Sequence, residues 1–433
     1  MPTFTVEYAT ESERLELERA VAYLAEMRRV GVTAAHGTVL NACELLALDK
    51  GRQLLRDNLA ATLQTRADAG KKSPGGVGKG RRSRDAMTAL GRVRFTRLYT
   101  SGDPEGGGYP ADSALGIDGG LSLQARRLAT YAALGKSFAR ARQTLSEFCG
   151  WTLDEETIRR LAHAGAKRAG AERPARADAE RFAVAPGEIE VPVDAGEANT
   201  LDGYRDVKLA LFCRRLAGRA AAPDEWDVRR LPAPSIRLVI AAVEDSERFG
   251  ERVLAEAIRL GAAADTGLTV LGDGAEWIWN LAADRFPGAA GVLDVYHALE
   301  RIAGAAKEVW GEGSEAAATH AEAGRRALVA GGKTGVERWL AATIAGVPEG
   351  IPTDPLLGLA AYLAKHPTRL DYAGRLASGL SIGSGAVEGA VKQLVNLRMK
   401  RTGARWKVGH VGPFVELLAL WEAPEWEGLW VAA

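Results

Sequence analysis

The sequence predicts an α/β protein with large α-helical parts, built around a mixed β-sheet. Residues 189–193 and 207–213 alternate apolar and polar side chains, as strands with one covered face do. Residues 236–243 are almost all apolar, as expected of a strand buried on both faces. Helical and short apolar segments then alternate from 246 to 293. Three successive strands followed by strand–helix–strand–helix favour an antiparallel meander continued by parallel strands.

The composition is that of an ordinary globular protein. With 433 residues, the chain exceeds the usual single-domain length, so two to four compact units are expected. No apolar run approaches the roughly 20 residues that span a bilayer, and the N-terminal residues lack a signal-peptide pattern. The three cysteines and six histidines are scattered, which argues against a disulfide framework or a structural zinc site. We therefore expect a cytoplasmic protein without a membrane partner.

The N-terminal region, residues 1–70, is predicted to be helical because apolar residues recur at helical spacing. Residues 71–90 are predicted to form a basic flexible linker. Within them, 71–84 holds six basic residues, no acid and several Gly and Pro residues. Such a segment is either a solvated tether or a contact for phosphates that does not depend on sequence.

Region 91–185 combines a remnant of a sheet with a pair of helices. The segment from Arg92 to Tyr99 alternates polar and apolar residues like an exposed strand. Helices are predicted at 137–148 and 154–167, separated by a short turn.

The second of these helices carries basic residues on its outer face. Thr152 and Glu155 have the spacing of a capping box at its start. A helix–turn–helix of this kind could place Arg159 and Arg160 in the major groove of DNA. The alternative is a helical hairpin with a solvated basic face.

The C-terminal part of the chain is predicted to be one core with an insertion. Residues 186–312 contain the sheet and its helices, and 379–433 complete the core. Between them, 313–378 are rich in alanine and read as a helical insertion, with Gly and Pro breaks at 331–335 and 346–355.

Three acidic residues are candidates for one metal-dependent active site. Asp194 and Asp273 each follow an apolar, strand-like run, and Glu388 lies near the start of a predicted helix. Carboxylates at strand ends suit Mg²⁺, which takes oxygen ligands and keeps waters for its substrate. Each residue also has a structural alternative. For Asp194 it is an ordinary acid at a strand end, and for Asp273 it is a helix N-cap with Glu276 completing a capping box. For Glu388 it is a carboxylate in the first helical turn, favoured by the helix dipole.

Basic residues follow Glu388. If these residues lie on a helix, they would neutralise DNA phosphates without recognising the base sequence. The alternative interpretation is a solvated helical face with no DNA contact. The candidates are Lys392, Arg398, Lys400, Arg401 and Arg405.

Several motifs around these residues occur in the order found in one family. They are Leu-Gly-Asp273-Gly-Ala-Glu-Trp, Leu-Asp294-Val-Tyr-His297 and Ile-Gly-Ser-Gly-Ala-Val-Glu388. Over roughly residues 120–425, the chain closely resembles bacterial insertion-sequence transposases of the Kra type, which are related to the Mutator-like group of DDE transposases.

The resemblance implies an RNase H-like core interrupted by a helical insertion. By motif, it implies that Asp194, Asp273 and Glu388 are the catalytic residues and that they bind two Mg²⁺ (or Mn²⁺) ions. It also implies that Asp294 and His297 support the metal ligands or position DNA. The alternative for that pair is a turn aspartate and a histidine with ordinary structural contacts.

The implied function is Mg²⁺-dependent DNA nicking and strand transfer at the ends of an insertion sequence. The implied partners are double-stranded DNA, as transposon ends and target, and further copies of the chain on that DNA, in a nucleoid-associated protein. A catalytically decayed or repurposed transposase that only binds DNA remains open. So does a nucleotide-binding α/β enzyme, although no phosphate-loop motif supports it.

Two departures from the family pattern concern the first aspartate. Asp194 is followed by Ala195 before Gly196, whereas relatives have Gly directly. Pro192 has no N–H for a central ladder, so we expect the strand to begin at Val193 or to contain a bulge. A further departure is that the stretch from Tyr99 to Pro110 lacks the cysteines of the zinc ribbon that many relatives carry.

Overall fold

The chain forms two compact units in this computed structural model. One unit comprises Met1–Gly165 together with Glu427–Ala433, and the other comprises Ala166–Trp426. The division falls inside a single helix, Glu155–Glu172. The structure describes residues 5–69, 77–101, 108–117, 119–263 and 267–431.

The N-terminal region is helical, as predicted. A long helix, Glu11–Thr33, begins at Thr10, whose hydroxyl accepts the N–H of Glu13. It is followed by helices Val39–Leu46 and Arg52–Ala69, which a π-helical turn at Ala47–Gly51 connects.

The flexible-linker prediction is wrong for residues 77–90. Strand β1 (Val77–Thr88) pairs antiparallel with strand β2 (Gly91–Ser101), and 71–76 lie outside the described residues. The hairpin is ordered because β2 buries Val93 and Phe95 beside helix Arg52–Ala69. The strand expected from Arg92 to Tyr99 is confirmed.

Four further helices begin in the described part of this unit. The helix pair predicted at 137–148 and 154–167 is present, but the proposed capping box is wrong. Asp154, rather than Thr152, accepts the N–H of Thr157 at 2.8 Å, because it is the residue directly before the first turn. The helices are Pro110–Ala114, Leu123–Leu134, Phe138–Cys149 and Glu155–Glu172.

The second unit contains the predicted mixed sheet. Its five strands stand in the order β5–β4–β3–β6–β7. The first three, in sequence, form an antiparallel meander, and β6 and β7 extend the sheet in parallel from β3. The strands are β3 (Glu188–Thr200), β4 (Gly203–Arg215), β5 (Ile236–Ala242), β6 (Thr269–Gly272) and β7 (Ala290–Leu293).

We expected strand β3 to begin at Val193 or to contain a bulge at Pro192, and both expectations are wrong. Pro192 is paired with Leu271 of β6. On the β4 side, Glu190 pairs with Cys213 and Val193 with Ala210, so the register is the same before and after the proline. The missing N–H therefore costs one ladder bond and leaves the register unchanged.

Helices cover the sheet and form the predicted insertion. The insertion contains Glu315–Ala345, Asp354–Ala364 and Tyr372–Ala377, and the first of these is kinked at Gly332, within the predicted break. In the described part of the chain, no helix is long and apolar enough to cross a membrane. The other helices are Asp178–Val184, Ser246–Arg259, Glu276–Arg285, Val295–Trp310, Gly385–Ala390, Leu397–Met399, Val408–Trp421 and Glu425–Gly428, with 3₁₀ turns at Arg173–Ala175 and Pro223–Glu225 and a π turn at Val391–Asn396.

A buried ion network joins several of these helices. Glu256 accepts hydrogen bonds from Arg173 and Arg259, which in turn contact Glu416 and Asp178. Burial alone would raise the pKa of Glu256, but the two guanidinium groups outweigh it and hold the pKa at about 2. Glu256 therefore stabilises the fold in its ionised form.

Replacing this carboxylate should destabilise the second unit. We expect Glu256→Gln to lower the free energy of unfolding by about 3 kcal/mol, because it leaves buried guanidinium groups without their shared anion. The difference in free energy of unfolding between wild type and variant should be greatest above pH 4.5, the ordinary pKa of a glutamate. It should shrink as the pH falls towards about 2, where the native carboxyl takes up its proton. Chemical denaturation measures it, with exposed Glu251→Gln on the same helix as the control. Equal effects of the two substitutions would contradict the network's role.

Candidate active site

Three aspartates occupy matching positions on three neighbouring parallel strands: Asp194 lies within β3, whereas Asp273 and Asp294 directly follow the ends of β6 and β7. Pro192 of β3 pairs with Leu271 of β6, so Asp194 and Asp273 each lie two residues beyond a paired position. Gly272 pairs with Leu293 of β7, and Asp273 and Asp294 each follow directly. This common register places the three aspartates next to one another on adjacent strands of the sheet.

Asp194 interacts electrostatically with the other candidate groups. Burial raises the pKa of Asp194 to about 6, and the hydrogen bond from the Ala195 N–H, 2.7 Å long, acts in the opposite direction. The charges of Asp273 and Glu388 raise this pKa further. The structure thus brings the three sequence-predicted residues into one electrostatic neighbourhood.

Asp273 shapes the turn between β6 and the next helix. Its Oδ1 accepts the Ala275 N–H at 2.8 Å, and its carbonyl oxygen accepts the Trp279 indole N–H at 2.8 Å. The helix begins at Glu276 with Ala275 as its N-cap, so Asp273 holds an Asx-type turn and is not the helix cap. Trp279 therefore fixes the backbone that carries the carboxylate.

Asp294 is fully buried and connects two parts of the site. Its Oδ1 accepts the N–H of His297 at 3.0 Å and caps helix Val295–Trp310. Its Oδ2 accepts the backbone N–H of Ser384 at 2.5 Å and the Ser384 hydroxyl at 2.9 Å. Asp294 thereby ties the chain just before helix Gly385–Ala390 to the end of strand β7.

Glu388 lies in that short helix with its side chain about 29% exposed. Lys392, one turn further on, places its ammonium 3.8 Å from Oε2 of Glu388. The π turn Val391–Asn396 then packs on β3 at Gly196, where a Cβ would lie only 2.8 Å from Val391. Gly196 is required by this close approach, which accounts for a glycine two residues after Asp194.

The closest grouping of ligand atoms differs from the predicted one. One ligand atom each from Asp294, His297 and Glu388 lies within 4.8 Å of the others. In the part of the chain that the structure describes, Asp194, Asp273 and Glu388 do not form a group this tight. Both oxygens of Asp294 already accept hydrogen bonds, so its observed role is structural. Carboxylates that face one another without a cation repel, which opposes closer approach of the predicted trio.

Among the basic residues after Glu388, Arg398 is not a surface contact. It is buried over the rings of Trp406 and Phe414, with its guanidinium carbon 4.6 and 5.2 Å from their centroids. Burial lowers the pKa of Arg398 to about 10, and Arg401 adds to this shift. The prediction that Arg398 contacts DNA is wrong, because a side chain enclosed by aromatic rings cannot reach a phosphate.

The other cations in this segment remain accessible. Lys400 pairs with Glu197 at 3.2 Å, and Arg401 and Arg405 are exposed. They do not all lie on one helix, because the helical residues end at Met399 and the chain then turns to form a bridge between Trp406 and strand β3. Their contact with DNA stays a prediction.

Arg159 and Arg160 lie on the first part of helix Glu155–Glu172. Arg159 is held by Glu156 at 2.5 Å, while Arg160 is about two-thirds exposed and donates to the Thr157 hydroxyl at 3.0 Å. These contacts are between exposed groups, and the proposed DNA contact of both arginines stays a prediction.

Sequence reasoning missed Tyr362, which comes from the insertion. A Cβ on Gly274 would lie 2.3 Å from the Tyr362 ring, so the insertion packs directly on the turn that carries Asp273. Arg301 stands over the same ring, 5.1 Å from its centroid. The one available signal in the sequence was Gly274, since a glycine permits another group to pack closely on the backbone. The sequence does not show which group does so.

In comparisons with known proteins, no family model matches this chain and no curated protein matches it.

Neutralising Asp194 should stabilise the metal-free protein. Because the pKa of Asp194 is raised from 3.8 to about 6, its ionised form opposes folding above about pH 6 and has no effect below about pH 3.8. We expect Asp194→Asn to raise the free energy of unfolding by about 2 kcal/mol above that upper limit, and the gain to vanish in acid. Denaturation in chelator measures this, with exposed Asp206→Asn on β4 as the control. A destabilised Asn variant, or a gain independent of pH, would contradict the raised pKa of Asp194.

Removing the Asp294 carboxylate should loosen the segment that carries Glu388. In Asp294→Ala we expect amide hydrogens of residues 384–390 to exchange about 10-fold faster, because the chain loses hydrogen bonds worth about 1–2 kcal/mol. Hydrogen–deuterium exchange followed by mass spectrometry measures this. Exposed Asp284→Ala is the control. Unchanged exchange in this segment would show that Asp294 does not hold it.

Proposed function

We propose that this chain is a DDE transposase with an RNase H-like core, which nicks DNA and transfers strands at the ends of an insertion sequence. The observation that carries the proposal is the matching register of Asp194 in β3, Asp273 after β6 and Asp294 after β7, together with the charges of Asp273 and Glu388 that act on Asp194. The strand order supports it, since a three-stranded antiparallel meander extended by two parallel strands is the arrangement of an RNase H-like sheet. The helical insertion before Glu388 also agrees with the family pattern.

The donor groups fit a hard divalent cation. Asp194, Asp273 and Glu388 offer carboxylate oxygens, which Mg²⁺ and Mn²⁺ prefer, and they would hold the two ions. When bound, such ions activate a water or a 3′-hydroxyl and stabilise the leaving oxygen of an in-line displacement.

The chain's own residues would orient and neutralise the substrate. Lys392 keeps an exposed ammonium beside Glu388, where it can meet a phosphate of the scissile strand. Trp279 and Ser384 hold the backbones that carry the acidic groups. His297, near Glu388, is available to position DNA or to support the ligand set.

In this proposal, the helix pair Phe138–Cys149 and Glu155–Glu172 is the helix–turn–helix that binds the element ends. Arg159 and Arg160 would contact the groove or its phosphates. The chain would act on double-stranded transposon ends and target DNA as a homo-oligomer, in the nucleoid.

A second candidate is a repurposed transposase that binds DNA without cleaving it. It is favoured by the structural use of Asp273 and Asp294 and by the separation of the predicted ligand trio. Such a protein should bind DNA equally well in chelator and with Mg²⁺, and should leave every strand intact.

Mg²⁺-dependent nicking tests the proposal. The substrate is duplex DNA taken from both sides of the coding region. We expect Asp273→Asn to lower the nicking rate by more than about 100-fold, since even residues that only support metal ligands change activity by about 10–100-fold. Asp284→Asn, an exposed aspartate on the following helix, is the matched control. Equal nicking by wild type and Asp273→Asn would refute the assignment.

A further inference from the structure

We propose that a cleft in the N-terminal unit binds the sugar-phosphate backbone of double-stranded DNA. The cleft has a volume of about 540 Å³ and is bounded by the β1–β2 hairpin and two helices, Leu123–Leu134 and Glu155–Glu172. Each of the three elements contributes one arginine: Arg92, Arg126 and Arg160. The inference extends the proposed function, because it adds a phosphate-binding site in a different unit from the carboxylates.

The elements around the cleft are fixed to one another. The indole N–H of Trp151, in the turn between the paired helices, donates to the Ala89 carbonyl in the hairpin turn at 2.9 Å. Met87 of β1 exchanges backbone hydrogen bonds with Gly120 and Ser122, directly before helix Leu123–Leu134. The arginines are therefore presented by a preformed frame, which lowers the ordering cost of binding.

The charge lining the cleft is predominantly positive. Among the described residues that line it, Asp85 is the one acid, and it is bound at 2.6 Å by Arg94, which is not a lining residue. That hydrogen bond lowers the pKa of Asp85. Arg92 contacts Asp85 at 3.5 Å and Arg160 contacts Glu156 at 4.0 Å, with side chains 68% and 67% exposed. Exposed ion pairs of this kind are weak, so a phosphate can replace them.

The distribution of charge favours a long polyanion over a small phosphorylated ligand. The hairpin that bounds the cleft holds seven basic side chains and one acid, Asp85, in its described residues. Arg97 is buried, and Arg81 and Arg84 pair with acids outside the hairpin. Of the seven, Lys79 and Arg82 are exposed towards the open end of the ribbon. A two-stranded antiparallel ribbon fits the major groove of DNA, and flanking cations can then follow the phosphates.

The salt dependence of DNA binding tests this site. The probe is a short random-sequence duplex, and the measurement is fluorescence anisotropy in chelator between about 50 and 300 mM NaCl. The variant is Arg92→Gln combined with Arg160→Gln, and the control is Arg248→Gln, an equally exposed arginine of the second unit. Each lost phosphate contact lowers the slope of log K against log salt by about 0.9, so we expect a fall of about 1.8 and at least about 10-fold weaker binding at the lower salt concentrations.

An unchanged slope in the double variant, at an unchanged melting temperature, would overturn the proposal. The proposal would also be overturned if inorganic phosphate stabilised the wild type only and the variant bound DNA as tightly as the wild type. The cleft would then bind free phosphate and not DNA. Because no cleavage is measured, the outcome is separate from that of the nicking assay. The salt slope of the double variant could fall while wild type and Asp273→Asn nick DNA equally. That result would support the DNA-binding cleft and contradict the proposed transposase activity.

Discussion

The burial of Asp194 beside other carboxylates is the constraint that this part of the second unit has to accommodate. The parallel register places Asp194, Asp273 and Asp294 side by side, and Glu388 approaches them from a later helix. Burial is the main cause of the raised pKa of Asp194, and the charges of Asp273 and Glu388 add to it. Asp294 gives both carboxylate oxygens to neighbouring hydrogen-bond donors, whereas Asp194 accepts one backbone hydrogen bond, from Ala195.

Two contacts between segments far apart in sequence hold Glu388 beside these carboxylates. One is the pair of hydrogen bonds from Ser384 to Asp294, which fixes the chain before the helix. The other is the packing of Val391 on Gly196, which fixes the chain after it. The π turn between Val391 and Asn396 occurs where the helix passes over β3, and π-helical turns are frequent at functional sites. The helix that carries Glu388 is thus held on both sides, by Asp294 after β7 and by Gly196 of β3.

Much of the fold was predictable because it depends on local periodicity. The mixed sheet, the helical insertion and the paired helices all follow from apolar spacing, and the structure confirms them. The hairpin Val77–Ser101 was missed because its buried side chains are few and its arginines suggested a solvated linker. Arg398 was misassigned for the related reason that spacing does not reveal the aromatic rings that enclose it. Tyr362 and the Ser384–Asp294 contact depend on tertiary packing, which no local pattern encodes.

A crystal structure of the chain with Mn²⁺, located by anomalous scattering, tests the central claim most directly. We expect manganese bound between the carboxylates of Asp194, Asp273 and Glu388, with Asp294 still hydrogen-bonded to Ser384. Manganese held instead by Asp294 and His297, or the absence of manganese from this edge of the sheet at saturating concentration, would contradict it.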